Sequence, residues 1–485
     1  MPLMGGQRAL VFGASGYIGR NLVPRLVDAG FVVRAAARDL AALESQEWGP
    51  VDCVQADALV PETLVAALRD IEVAYYLVHS MAAGPDFGAL DLEAATHFRD
   101  AAAAAGVRHI VYLGGLIPDD PESEHLRSRQ ETGDRLRAGT VPVTELRAGM
   151  IIGAGSAAFE VMRDLVNYLP LMLTPRWVHS RSPPIALDDL LAYLLQLPGI
   201  EAASGKIFDA GGPELVTYGE QMRRLGALVG KHPRIIPVPV LTPKLSSYWL
   251  GLITSVPVNI ARALVDGLRH DVIADSTALE RLIPLSLMSL DDAFKAALES
   301  ERRHDVPASW YADEVLREAL RPEYSYHALR ATGSAISTAE PSAIWRELCR
   351  FGRDGDFFAL NGLWWIRRAL DWLVGGPSFR RGRASPETPR AGDIIDSWRV
   401  ISVQPERRLL MLIEMKVPGC GLLELECNPV DGGNEIRATA HWYPAGIFGL
   451  LYWHPLFPFH RVIFKGMTRE VARRAAEACN EKGIH

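Results

Sequence analysis

The sequence predicts an α/β protein: a doubly wound parallel sheet in the N-terminal part, then an α+β domain built on a curved antiparallel sheet. Three observations predict it. From Arg8 to about Asp209, short β-branched runs alternate with Ala/Leu-rich amphipathic segments, the pattern of parallel strands joined by crossover helices. Three glycines, Gly13, Gly16 and Gly19, stand between the first strand and the first helix. From about Tyr326 the alternation gives way to long runs of period two, broken by turn residues and closed by a helical segment. A chain of 485 residues also exceeds one ordinary hydrophobic core, so two domains are expected, 1–321 and 322–485.

In order, the strand candidates are Ala9–Phe12, Val32–Ala37, Val51–Gln55, Val73–His79, His109–Gly114, Val143–Arg147 and Lys206–Asp209. A doubly wound sheet holds its ligand in the crevice at the carboxyl ends of its strands, so the residues closing each strand are the candidate site. Beyond Gly211, proline-punctuated helical stretches at Tyr218–Val229 and Val258–Leu268 read as a cap on the substrate side. The second domain opens with a strand, a helix at Pro341–Phe351 and a Trp-rich segment. Hairpin signals follow at Gln404–Arg407 and Asp431–Asn434. Phe379–Gly392, rich in Arg, Pro and Gly, reads as an exposed loop, and Arg461–Cys479 as a helix long enough to lie across the sheet.

Apolar residues make up 48% of the chain and charged residues 22%, a globular balance. Lys plus Arg number 51 against 58 Asp plus Glu, a net charge of -7, which argues against nucleic acid as a partner. Cys53, Cys349, Cys420, Cys427 and Cys479 are odd in number and never in a C-x-x-C pair, which suggests neither a disulfide framework nor a zinc module and fits a reducing compartment. The N-terminus lacks a long apolar core with a cleavage site, so a cytoplasmic location is expected. Trp442–Phe459 and Leu245–Ile260 are apolar enough to leave peripheral membrane contact open, while Pro444, Pro455, Pro458 and Pro257 are expected to break a spanning helix. No histidines are spaced as a metal-ligand pair.

The run from Gly13 to Gly19, with Ser15, Tyr17 and Ile18 between the glycines, is the strongest chemical signal. The early glycines let the backbone turn tightly and approach a pyrophosphate, the helix N-terminus supplies free N–H groups, and Gly19 permits close helix-strand packing. At the end of the second strand a site for NAD would present an acid to the ribose; this chain presents Arg38, whose guanidinium suits the 2'-phosphate of NADP, with Arg34 a weaker second candidate. NADP(H) is therefore expected ahead of NAD(H), with Asp39 the residue that would favour the latter. Asp57, followed by Ala58, closes the third strand and either accepts a hydrogen bond from the adenine amino group or caps the helix starting near Pro61.

These residues resemble the atypical short-chain dehydrogenase/reductases, in particular the NAD(P)-binding Rossmann proteins of the NmrA and isoflavone-reductase kind. Besides the glycine loop, the resemblance is carried by Arg38, Asp57, Tyr112-Leu-Gly-Gly115, Arg147-Ala-Gly-Met-Ile-Ile-Gly153, Pro184-Ile-Ala-Leu-Asp188 and Phe208-Asp-Ala-Gly-Gly212, over residues 8 to 300. It implies that Leu77 and Val78 contact the cofactor through their backbone, with His79 and Ser80 the polar groups nearest the nicotinamide. Active members carry a Tyr-x-x-x-Lys helix. Here His125-Leu-Arg-Ser-Arg129 occupies that place, which aligns His125 with the tyrosine as proton donor and Arg129 with the lysine that holds the ribose. Gly114-Gly115 leaves room for the nicotinamide ring and removes the serine common near there in active reductases.

The second domain is similar to a domain of unknown function that follows such reductase-like domains, and to helix-grip, SRPBCC-like ligand binders of the START type. The motifs are Trp398-Arg-Val, Leu412-Ile-Glu-Met-Lys-Val-Pro-Gly419, Ala438-Thr-Ala-His-Trp-Tyr-Pro444 and Tyr452-Trp-His454-Pro. That resemblance implies a sheet wrapped around the terminal helix and a pocket for an apolar molecule; the alternative is that Trp364, Trp365, Trp372, Trp442 and Trp453 fill the core. Glu424 and Glu426 share a strand face, as an acid/base pair or as solvated charges, the latter being expected. The leading functional expectation is an NADPH-dependent oxidoreductase acting on a small apolar carbonyl or unsaturated compound. Its alternative is a binding protein that senses NADP(H) without turnover.

Overall fold

A computed structural model describes residues 6–44, 46, 48–79, 87–118, 124–174, 176–237, 270–303, 328–352, 358, 362, 389–390, 392–395, 397–415 and 417–482. The chain divides into two compact units, Met1–Ser309 and Trp310–His485. The expected boundary at 321/322, the helix expected at Val258–Leu268, most of the loop Phe379–Gly392, and Ser80, Trp364, Trp365 and Trp372 lie outside the described residues.

In the first unit, β1 (Arg8–Phe12), β2 (Val32–Ala37), β3 (Asp52–Gln55), β4 (Val73–Tyr76), β5 (His109–Gly115), β6 (Val143–Ala148) and β11 (Ile207–Ala210) form one parallel sheet. All seven correspond to runs expected from the sequence. Its strand order is β11-β6-β5-β4-β1-β2-β3, so the direction of winding reverses between β1 and β4. Such a sheet must bury both faces, which is why strands such as Val73–Tyr76 are buried at every position.

One face is covered by α1 (Tyr17–Asp28) and α7 (Leu187–Gln196) through Leu22, Leu26, Leu190 and Leu194. Helices α3 (Pro61–Leu68) and α4 (Phe87–Ala104) cover the other through Leu64, Leu68, Ala95 and Phe98. Helix α5 (Glu124–Arg137) adds Leu136 to that side, and α2 (Leu40–Glu44) joins β2 to β3.

Between β6 and β11, and beyond, short strands replace the regular alternation. They pair as β7 (Ile151–Ile152) with β10 (Ile185–Ala186), β8 (Leu171–Thr174) with β13 (Arg234–Pro237), and β9 (Arg181–Ser182) with β12 (Val216–Thr217). These frame α6 (Ala157–Tyr168) and α8 (Tyr218–Leu228), the latter capped by Thr217, whose hydroxyl accepts from the Glu220 N–H at 3.1 Å. Helices α9 (Thr277–Leu282) and α10 (Leu290–Arg303) follow.

The second unit is an antiparallel sheet of β14 (Leu329–Ser337), β15 (Ile394–Ile395), β16 (Trp398–Gln404), β17 (Arg408–Ile413), β18 (Gly419–Val430) and β19 (Gly433–Pro444), in the order β14-β19-β18-β17-β16-β15. Both hairpins fall where the turn residues put them. Helix α11 (Pro341–Leu348) comes after β14, and α12 (Gly446–Lys482) packs Trp453, Phe464, Met467 and Val471 against Leu423, Leu425, Ala438 and Ala440 of the sheet. Gly333 allows this approach: a Cβ there would lie 2.4 Å from the backbone of Phe464 and Lys465.

Two expectations are corrected in this unit. The terminal helix begins at Gly446 rather than Arg461 and continues through Pro455 and Pro458. Each proline removes one helical hydrogen bond, but Trp453, stacked on Trp442 with centroids 6.2 Å apart, and the following turns pin the opposite face to the sheet. Glu424 is not a solvated charge. Its strand face is buried by Ile401, Leu410, Leu412, Leu422 and Tyr443, and its carboxylate takes Arg408 Nε at 2.7 Å and His441 Nε2 at 3.0 Å. Burial alone would raise the Glu424 pKa, but the His441 hydrogen bond and the Arg408 charge outweigh it and hold it below the ordinary range.

Candidate functional site

A cavity of about 440 Å³ opens at the carboxyl edge of the parallel sheet, where β1 and β4 diverge. Its first wall is the turn from β1 into α1. Gly13 has φ +92°, and a Cβ there would stand 3.1 Å from the Leu77 carbonyl carbon and Val78 Cγ2. At Gly19 a Cβ would come within 2.5 Å of Gly13 O. Only glycine satisfies both contacts. Gly16 is the N-cap of α1 and offers no side chain to it, so the N–H groups of the first turn stay available to an anion. Arg20 Nε donates to Ser15 O at 2.6 Å and ties the loop to the helix.

The next strands along the edge carry the residues expected to choose the cofactor. Arg38 is exposed at the end of β2, and its carbonyl accepts from Gln55 Nε2 at 3.0 Å. Asp39 turns away to α2, where Oδ1 accepts from Ala42 N. Arg34 is committed elsewhere: it pairs with Asp52 at 2.6 Å and donates to the carbonyls of Ala66, Ala67 and Arg69 at the end of α3. It caps a helix instead of reaching a ribose. Asp57 Oδ1 accepts from Leu59 N at 3.0 Å, closing a turn before α3, whose N-cap is Val60. Ala58 is buried, and its carbonyl meets His97 Nδ1 at 2.8 Å.

The cavity lining includes Gly13, Gly16, Tyr17, Ile18, Gly19, Leu77, Val78, His79 and Arg129, whereas Ser15, Arg38, Asp57 and Ala58 lie outside it. His125 is in the first turn of α5, and its side chain is outside the described residues. The sequence did not single out Asp91. Its Oδ2 lies 2.6 Å from His79 Nδ1 and accepts from Ser128 Oγ at 3.0 Å, so one buried carboxylate orients the histidine and fastens α5. The available signal was position: Asp91, Ala94, Ala95, Phe98 and Ala102 form the buried stripe of α4, and a carboxylate on an apolar stripe needs a partner.

Burial lowers the His79 pKa, with Arg129 adding to the effect and the bond to Asp91 opposing it. Tyr112, under the same floor, donates to Arg129 O at 3.0 Å, and burial pushes its phenol up to about 12. Arg129 Nε is buried and, among the described residues, has no hydrogen-bond partner. The paired glycines of β5 serve this neighbourhood rather than a cofactor ring alone. A Cβ at Gly115 would meet Arg129 Cδ at 3.2 Å, and one at Gly114 would meet Glu145 Oε1 at 3.2 Å. Glu145 is itself buried between Arg137 and Arg147.

Past Arg129 the cavity becomes apolar, lined by Met150, Val161, Met162, Trp177, Tyr218 and Met222 from α6, α8 and the connections around them. Trp177 and Tyr218 meet edge to face at 6.1 Å. Among the described residues no group of His, Cys, Asp and Glu side chains is arranged to hold a metal ion.

Residues 13–148 match the family model described as NAD(P)H-binding, and residues 330–467 match a family described only as a protein of unknown function. A Streptomyces griseus relative, a (4-alkanoyl-5-oxo-2,5-dihydrofuran-3-yl)methyl phosphate reductase, is 30% identical over 229 residues, covering 46% of this chain and 74% of its own. The chloroplastic divinyl chlorophyllide a 8-vinyl-reductase of Zea mays is 26% identical over 248 residues, and the match spans 48% of this chain and 61% of that protein. The crystal structure of an NADPH-dependent quinone oxidoreductase from Escherichia coli, complexed with NADPH, shares the fold at a TM-score of 0.50 and 19% identity, over 60% of this chain and 99% of that one. A loop closed to any Cβ at Gly13 and Gly19, an uncapped helix N-terminus and an orphaned buried donor on Arg129 fit a dinucleotide in this cavity.

Proposed function

The chain belongs to the NAD(P)H-binding family of atypical short-chain dehydrogenase/reductases, and on that premise we propose that it is an NADPH-dependent reductase of a small, apolar carbonyl or conjugated unsaturated compound. One observation carries the reading: a single cavity joins the phosphate-binding turn, the His79 and Arg129 side chains and an apolar lobe. Bound NADPH would supply hydride. The chain's own residues do the rest. The Gly13–Gly19 turn and the α1 N-terminus would hold the pyrophosphate, Arg38 would take the 2'-phosphate, Asp57 would accept from the adenine amino group, and Leu77 and Val78 would flank the nicotinamide half.

Arg129 donates to ribose hydroxyls, which uses its orphaned Nε. We assign the proton to the imidazolium form of His79, which would give it from Nε2 while Asp91 holds Nδ1; His125, aligned with the family's tyrosine, is the second donor position. Methionines beside Trp177 and Tyr218 suit a flat apolar substrate and exclude water from the reacting face. The second unit, read as an independent helix-grip domain from about residue 322, would bind a hydrophobic ligand beside its terminal helix.

The test is NADPH oxidation followed with a panel of p-quinones and conjugated enones, alongside calorimetric NADPH binding. Turnover lost in His79→Asn and kept in His125→Asn supports the assignment, and the converse moves the proton to His125. Tight NADPH binding with no turnover of any panel member would favour the NADP(H)-sensing alternative, which the lack of a Tyr-x-x-x-Lys pair would allow.

A further inference from the structure

The terminal helix carries a surface that the reductase reading does not use. Along α12, Phe448 is 72% exposed, Leu451 62%, Phe459 54% and Val462 62%, and Ile447 is exposed beside them. At about 100° per residue these positions fall on one side of the helix, with Pro455 between them, and extend over roughly 22 Å. The opposite side, Trp453, Ile463, Phe464 and Met467, is buried against the sheet. Folded proteins do expose single apolar residues, but four large ones in register form a patch that calls for a partner.

Charge identifies the partner. In a chain with a net charge of -7, residues 446–469 contain no Asp or Glu, yet hold Arg461, Lys465 and Arg469. All three are exposed, and among the described residues none of them carries an ion pair. The first carboxylate beyond them, Glu470, is taken by Arg473 and Arg474. An exposed apolar face continued by unpaired cations along one helix is the arrangement of a segment lying in a membrane interface, with its apolar side chains at the headgroup boundary and its cations among anionic headgroups. No described helix is long and apolar enough to cross a membrane, so the contact is parallel to the surface.

We propose that the exposed face of α12 docks the protein on an anionic lipid bilayer. A water-soluble protein partner or a second copy would have to supply carboxylates opposite Arg461, Lys465 and Arg469, and both are outcomes of the test. The full-length protein is sedimented with vesicles of phosphatidylglycerol and phosphatidylcholine in equal parts, and with phosphatidylcholine alone. Binding is expected to the anionic vesicles, at least tenfold weaker to the neutral ones, and weakened by salt.

The double variant F448S/F459S should lower binding to anionic vesicles at least tenfold. R461E/K465E should remove the preference between the two vesicle types. Both change exposed side chains, so unchanged melting temperatures check that each is folded. The proposal is overturned if the wild type sediments with neither vesicle or equally with both, or if folded F448S/F459S binds like the wild type. It is also overturned if light scattering shows a dimer that these substitutions dissociate while vesicle binding is absent. None of these readouts depends on reductase activity.

Discussion

Arg38→Ala tests the choice of cofactor. The Arg38 side chain is exposed at the end of β2, and the turn it belongs to is held without it, by Gln55 Nε2 donating to Arg38 O and Ala42 N donating to Asp39 Oδ1. Truncation should therefore leave the fold intact, with a melting temperature within about 2 °C of wild type, as for surface substitutions generally. A charge-assisted hydrogen bond to phosphate contributes about 1.5 to 3 kcal/mol. Solvent around an exposed guanidinium places the expected loss at the lower end, about tenfold in NADPH affinity. NADH, which has no 2'-phosphate, should bind the variant as it binds the wild type. Titration calorimetry with both dinucleotides decides it. Equal weakening of the two would make Arg38 structural. A wild type that prefers NADH would require Asp39 to leave its cap on α2 and read the ribose, and the cofactor assignment would then fail.

Gly16→Val places branched carbons at the α1 N-cap, where even a Cβ stands 3.1 Å from Gly13 O, so NADPH affinity should fall at least tenfold in calorimetry while the circular dichroism spectrum is retained. Asp91→Asn removes the carboxylate that fixes His79 and offers an amide donor in its place; kcat/KM should drop about 10²-fold with NADPH affinity within about twofold. A variant as active as wild type would release His79 from the proton role. Burial lowers the pKa of both His79 and His109, so the unfolded chain binds more protons just below the ordinary histidine value of 6.5. Stability should then rise with pH up to about 6.5 and level off above it, and His79→Gln should flatten the acid limb in calorimetric melts; a melting temperature that climbs on acidification would contradict it.

The parallel sheet was legible because most of its strands are short apolar runs set between amphipathic helical segments, and each of the seven runs expected from the sequence corresponds to one of its strands. The glycine loop was legible for a similar reason: the contacts that forbid a Cβ at Gly13 and Gly19 are made mostly by the loop itself and by the neighbouring strand end. What could not be read were pairings across the fold. Arg34 within β2 and Arg38 just after it look alike in sequence, and only the arrival of the α3 carbonyls separates the cap from the candidate phosphate ligand. Glu424 and Glu426 share a period, but His441 and Arg408 come from the neighbouring strands and bury the first. Asp91 lies in a helix 12 residues beyond His79, and its importance appears only when α4 lies down on the sheet with its polar residue facing the crevice. The prolines of α12 misled for the converse reason. Their local cost is fixed by the sequence, whereas the sheet packing that offsets it comes from the adjoining β19 and from β14, far back along the chain. Side chains whose partners are distant in sequence are those that define the proposed site, which is why its turn and His79 could be named from the sequence while Asp91, the anchor of His79, required the structure.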